Sequence, residues 1–167
     1  MIRVLVTGAT SGLGRETAVQ LARRGWRVAL SGRRREQLEE TAERVVEAGG
    51  KALLLHGSVA DPAEVRGHYA AIKAAWGGLD WAVLNAGVGD SMDAKDFSAE
   101  TVRWTFETNV FGACHWLEAV IPGMIAQGSG VIAGVSSLAA FRSMPKSGPY
   151  CASKAALSSL LEAARID

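Results

Sequence analysis

A chain of 167 residues is the size of one domain, judged against about 150 residues per domain, and 49% hydrophobic against 21% charged residues excludes a disordered chain. With 18 basic and 17 acidic side chains the net charge is +1, so there is no basic field for nucleic acid and no acidic tail. The two cysteines, Cys114 and Cys151, form no CxxC pair, and a reducing, cytoplasmic setting is expected.

The opening apolar run is too short for a signal-peptide core. The longest later one, around residues 110–121, is interrupted by His115 and Glu118, so neither reads as a membrane span. Residues 2–6 read as a strand. Residues 12–24 read as a helix with Leu13, Thr17 and Leu21 on one face, stopped by Gly25. A second strand is predicted at 27–31. The helix after it, 36–48, is apolar at Leu38, Ala42, Val45 and Val46 and ends at Gly49-Gly50. Residues 51–56 make a third strand. Asp61 caps a helix that opens on Pro62 and runs to Trp76, before Gly77-Gly78. A fourth strand spans 80–84. A polar loop over 89–97 leads to a long helix that starts near Ser98 and Thr101. It is carried to Gln127 with a kink expected at Pro122. A strand at 130–135, a loop at 136–149 and a helix at 150–165 follow.

Strands alternating with helices of this length predict an α/β fold, a doubly wound parallel sheet with helices on both faces. Right-handed crossovers favour strand order 3-2-1-4-5. The segment Thr7-Gly8-Ala9-Thr10-Ser11-Gly12-Leu13-Gly14 falls between the first strand and the first helix, where phosphate binding belongs in such a fold. Gly8 allows a sharp turn, Gly12 a close backbone approach to a pyrophosphate, and Gly14 close packing of helix on strand. The alternative is a plain flexible turn. A site for NAD wants a carboxylate about 20 residues further on, to hold the ribose 2′-hydroxyl. That place falls on Gly32, and Arg33 follows it. A guanidinium there suits a 2′-phosphate, so NADP (NADPH) is expected in preference to NAD. Otherwise Arg33 to Arg35 simply solvate a helix start.

The glycine spacing reads TGxxxGxG. With Asn85-Ala86-Gly87 after strand four, Asn109 in the long helix, Ser137 after strand five, and Tyr150 and Lys154 as YxxxK, the chain resembles the short-chain dehydrogenase/reductase family. The resemblance covers the whole chain and is to the compact single-domain branch. It implies one NAD(P)-binding, Rossmann-type domain over residues 1–167. Thr10, Ser11 and Leu13 then border the cofactor with the three glycines, and Asn85, Ala86 and Gly87 line it at the end of strand four. Ser58 and Val59 stand after strand three, where members often carry an acidic residue; Ser58 still offers a hydrogen bond. Tyr150 would be the general acid in reduction and base in oxidation. A free tyrosine has a pKa of about 10, so lowering it to about 7 takes about 4 kcal/mol. Lys154, one helical turn on, supplies positive charge and a bond to the nicotinamide ribose. Ser137 would hold the substrate oxygen, and Asn109 a water that links Lys154 to solvent.

The expected activity is hydride transfer between the nicotinamide and a small-molecule carbonyl or secondary alcohol, with no metal. The alternative is a truncated nucleotide-binding remnant without turnover. An epimerase is disfavoured by the spacing, since that branch reads TGxxGxxG. A doubly wound fold normally has a sixth strand, and none follows the last helix. The domain is therefore expected to be incomplete at its C-terminus, with strand five an exposed edge and its apolar run, residues 131–135, poorly covered. A homodimer or homotetramer is expected, with no nucleic-acid or membrane partner. Its interface is placed on Phe106, Val110, Trp116 and Leu117 of the long helix and on Ala155, Leu157, Leu160 and Leu161 of the last one. Cys151 is read as a bystander.

Overall fold

Along the first strand, Val4 and Val6 enter one hydrophobic cluster and Leu5 enters another, as the alternation of side chains across a sheet requires. The computed structural model describes residues 1–166. Its strands are β1 (Arg3–Thr7), β2 (Arg27–Gly32), β3 (Lys51–His56), β4 (Trp81–Leu84) and β5 (Val131–Gly134). Its helices are α1 (Gly12–Ala22), α2 (Arg35–Glu47), α3 (Pro62–Trp76), α4 (Ala99–Phe106), α5 (Gly112–Gln127) and α6 (Gly148–Ile166). The strands are all parallel, in the order β3-β2-β1-β4-β5, as the crossover rule predicts. Each strand boundary lies within one residue of its predicted place.

One face of the sheet packs Val4, Val6, Val28 and Leu30 against Ala18 and Ala22 of α1 and Leu38, Ala42 and Val45 of α2. The other packs Leu5, Ala82 and Leu84 against Val65, Tyr69 and Ile72 of α3, Trp116 and Val120 of α5 and Leu157 of α6. Burial of the strands on both faces is what a parallel sheet needs. Asp61 caps α3 through the amides of Ala63 and Glu64, and Gly77 ends it in the left-handed conformation. No helix among the described residues is long and apolar enough to cross a membrane.

Several local expectations are corrected. Leu13 is 72% exposed, and α1 instead buries Gly14, Ala18, Val19 and Ala22. Small residues face the sheet because the glycine loop brings the helix in close. On α2, Thr41 is buried and Val46 is exposed. The polar loop contains a 3-10 turn at Ala94–Asp96, and a second one forms at Leu138–Ala140. The long helix is interrupted not at Pro122, which lies inside α5, but by a π-type turn at Glu107–Phe111 that contains Asn109. Helix α6 begins two residues before Tyr150. Strand β5 pairs with β4 on one side and, among the described residues, with no strand on the other. Of the residues assigned to an interface, Val110, Trp116, Leu117 and Leu157 are spent on the core. Leu160 of that set is exposed, and so are Trp104 of α4 and Phe111 of the π-type turn, which the expectation did not name.

The start of β1 is tied to β4 by one ion pair. Asp80 accepts from the Arg3 amide at 2.8 Å and from Arg3 Nε at 2.9 Å, and Arg3 Nη2 also reaches Gln127. The hydrogen bonds from Arg3 hold the Asp80 carboxyl below the usual range, against an opposing effect of burial. A depressed carboxyl pKa adds stability that is fully present above the ordinary value of about 3.9 and is lost as pH falls through the lower folded value. Asp80→Asn should therefore cost about 2 kcal/mol at pH 7, a fall in Tm of about 4–8 °C. The gap from the parent should close as melts are repeated below about pH 4. Equal melting at neutral pH would remove this pair from the stability of the sheet.

Candidate active site

The loop after β1 is shaped by contact with the end of β4. Gly8 and Gly12 take the left-handed conformation, with φ of 67° and 54°. Asn85 Nδ2 donates to the carbonyls of Thr7 at 2.9 Å and Gly8 at 3.4 Å. Thr7 Oγ1 accepts from the amides of Asn85 and Ala86, both at 2.9 Å. A Cβ at Gly14 would collide with the Gly8 carbonyl oxygen and with Asn85 Nδ2. Ser11, at the N-cap of α1, makes no side-chain bond to the first turn. The amides of that turn are left for a ligand at the positive end of the helix.

Beside this loop a cleft of about 240 Å³ runs along the C-terminal ends of β1, β2, β3 and β4. It is lined by Gly8, Thr10, Ser11, Gly32, Arg33, Arg34, Gly57, Ser58, Val59, Ala86, Gly87, Val88 and Thr108. Ligands of doubly wound sheets bind along this edge. Most of the predicted cofactor residues meet here. Gly14 and Asn85 stand behind the loop and shape it, Gly12 opens α1, and Leu13 turns its side chain to solvent. Arg34, Val88 and Thr108 join the wall although no motif singles them out. Arg34 was legible only as one of three consecutive arginines. It donates to Thr10 Oγ1 at 2.7 Å and to Ser11 Oγ at 2.6 Å. The Ser58 amide donates to Glu64 Oε2 at 2.5 Å, so α3 brings a carboxylate to the corner that lacks one in the chain after β3. No carboxylate is among the residues that line the cleft.

At the other end, Gly87 lies against two predicted catalytic residues. A Cβ there would stand 3.4 Å from Lys154 Nζ and 3.5 Å from Asn109 Oδ1. Lys154 is 3% exposed, donates to the Val135 carbonyl at 2.7 Å, and lies 5.7 Å from the centre of the Tyr150 ring. Burial pushes its pKa down. Asn109 clamps Val88, accepting from its amide at 2.7 Å and donating to its carbonyl at 2.8 Å, and donates to Ser153 Oγ at 2.9 Å. Ser136 Oγ bonds Ser158 of α6 at 2.6 Å and so pins the segment that follows β5 to the helix. The neighbouring Ser137 Oγ accepts from the Ala139 amide at 3.1 Å, and its own O–H is left to donate. A second hollow of about 420 Å³ shares Gly87 and Val88 with the first and is lined by Tyr150, Met144, Ser147 and Asp90 among others. Cys151 is buried next to Tyr150, and its sulfur accepts from the Met144 amide.

The family model for short chain dehydrogenase matches residues 3–167. The chain belongs to the short-chain dehydrogenase/reductase family. It is 44% identical over 163 residues to an uncharacterized oxidoreductase of Myxococcus xanthus, covering 98% of this chain and 64% of that protein. The structure of NAD⁺-bound xylitol dehydrogenase superposes with a TM-score of 0.96 at 33% identity, over 99% of this chain and 64% of that one. An alcohol dehydrogenase from the archaeon Thermococcus sibiricus, complexed with 5-hydroxy-NADP, gives 0.93 at 28% identity, over 99% and 71%. The family uses nicotinamide dinucleotides, and these two neighbours carry one of each kind. The cleft fits such a group: a helix N-terminus without a side-chain cap, a loop that turns at Gly8 and is backed closely at Gly14, and two arginines beside that loop.

Two glycines of the loop separate packing from backbone strain. Around Gly12 a Cβ meets nothing within 4 Å, so Gly12→Ala bears only the left-handed conformation, about 1 kcal/mol. Gly14→Ala drives a carbon into fixed backbone and should cost about 3 kcal/mol. Thermal melts of the two variants should differ by about 4 °C or more, with Gly14→Ala the lower. The reverse order would show that the loop is free to move away from Asn85.

Proposed function

We propose that residues 1–167 form a single dinucleotide-binding domain of an NADP-dependent oxidoreductase, with NADPH preferred to NADH and a carbonyl or secondary alcohol as substrate. The observation that carries the reading is a pair of adjoining hollows that share Gly87 and Val88. Arg33 and Arg34 line the first, and Tyr150, with the buried Lys154 beneath its ring, borders the second. When bound, the cofactor supplies or accepts hydride at its nicotinamide ring. Gly8, Thr10, Ser11 and the first turn of α1 hold the pyrophosphate. Arg33 takes the 2′-phosphate. Gly87, Val59 and Ser58 border the adenosine and nicotinamide halves.

Tyr150 gives the proton to the developing alkoxide in reduction and takes it back in oxidation. The Lys154 ammonium favours the phenolate by its charge. Desolvation brings that ammonium nearer to releasing a proton, and the Val135 carbonyl holds it in place. Ser137 donates its O–H to the substrate oxygen. Asn109 sets the Gly87–Val88 wall and, at the same corner, holds the water that relays protons to Lys154. The substrate enters by the hollow beside Tyr150 and Met144.

The test is a titration of purified protein with NADPH and NADH and a turnover screen on ketones. NADPH should bind at least tenfold tighter, a difference of about 1.4 kcal/mol. Equal dissociation constants would sink the NADP preference. Tyr150→Phe should slow reduction by about 10²–10⁴ with little change in cofactor affinity. Lys154→Ala should harm both. Binding without turnover of any ketone would replace the oxidoreductase with a nucleotide-binding remnant. We also assign a homo-oligomer, built on the exposed Trp104, Phe111 and Leu160. Its mass should exceed that of one chain in sedimentation at micromolar concentration, and a monomer there would refute it.

A further inference from the structure

Gly32 closes β2 at the wall of the cleft, in the place where a carboxylate would bind a ribose 2′-hydroxyl. It is buried, and its backbone does not need glycine, because its φ lies outside the left-handed region. What it lacks is space. A Cβ at 32 would collide with Thr10 Cγ2 and would stand 3.3 Å from Cδ1 of the fully buried Leu38.

Thr10 cannot easily withdraw. Its hydroxyl is held by Arg34 from two nitrogens, at 2.7 Å and 3.3 Å, and turning the side chain breaks both bonds. Its carbonyl accepts from Arg15 Nη2 at 2.7 Å. The preceding Ala9 is fixed on both sides, its amide to the Ser31 carbonyl at 3.0 Å and its carbonyl to Thr41 Oγ1 at 3.0 Å. The loop is therefore riveted to β2 and α2, and the methyl points at the one carbon that residue 32 does not have.

We propose that Thr10 is a specificity-determining residue. Its methyl, held in place by Arg34, occupies the room that a side chain at position 32 needs, and so keeps the carboxylate required for an unphosphorylated ribose out of this site. The inference rests on the NADP reading and deepens it. The arginines supply attraction for a 2′-phosphate, and Thr10 removes the competing arrangement. A switch of cofactor then needs two changes, not one. In Gly32→Asp the new side chain displaces Thr10, and with it the Arg34 bonds, before its carboxylate can be used.

The test compares Gly32→Asp with the double variant Thr10→Ser/Gly32→Asp in NADH titrations. Serine keeps the hydroxyl for Arg34 and removes the methyl. NADH should bind at least tenfold tighter to the double variant than to Gly32→Asp alone. Gly32→Ala, with a single added carbon, supplies a readout that needs no cofactor. At a compatible backbone position Gly→Ala is normally stabilising. Here it should lower Tm by about 4 °C, and by less than half as much when Thr10→Ser is present. Equal NADH affinity of the single and double variants, or a melting penalty unchanged by Thr10→Ser, overturns the proposal. The parent's NADPH-to-NADH affinity ratio reports separately on the cofactor reading. A ratio near one sinks that reading, while the paired melts still decide whether the methyl blocks position 32.

Discussion

The close crossing of the β1 loop over the end of β4 is the constraint on which the site depends. Thr7 and Asn85 exchange four hydrogen bonds across it, counting the bonds to the Ala86 amide and the Gly8 carbonyl. The crossing leaves no room for added volume at Gly8, where a Cβ would stand 2.9 Å from Ala86 Cα. This contact sets how near α1 comes to the sheet. It therefore sets which residues of α1 face inward, and the distance between the arginine end of the cleft and the Gly87 corner.

Charge is distributed along the cleft to match that geometry. Arg33 and Arg34 are exposed, so their cost of desolvation is small until a ligand arrives. Lys154 is the reverse: it is buried, and its charged form is disfavoured there unless it is hydrogen-bonded. The Val135 carbonyl supplies that bond because β5 ends one residue earlier and releases its last carbonyls from the sheet. The π-type turn serves the same corner. It widens the helical run at Asn109 and sets a buried amide between Val88 and Ser153, joining the β4 loop to α6. Such turns are commonly found at functional positions.

Small residues explain the local departures from periodicity. Leu13, Thr17 and Leu21 make a plausible apolar stripe, yet α1 buries the stripe of Gly14, Ala18 and Ala22. Hydrophobic spacing weighs size, whereas a helix pressed onto a sheet by a glycine loop selects for smallness. The interruption of the long helix was equally hidden. Pro122 is the conspicuous breaker, but it sits where α5 continues. Residues 107–111 carry no breaker at all, and their altered hydrogen bonding answers to Val88 and Ser153, which are distant in sequence.

The sequence by itself determined the alternation of strands and helices, the strand order, and the glycine and tyrosine–lysine motifs. Each of these is carried by local patterning or by spacing along one element. The sequence also marked the arginine cluster, as a run of like charges. Only the tertiary structure decided which arginine is tied to the loop, that Glu64 swings a carboxylate onto the Ser58 amide, and that Ser136 is spent on Ser158 while Ser137 keeps a free donor. It also decided that Gly32 is glycine for want of room and not for backbone freedom. These are contacts between residues far apart in the chain, fixed by how closely the loop, β2 and α2 pack, and no local pattern encodes that distance.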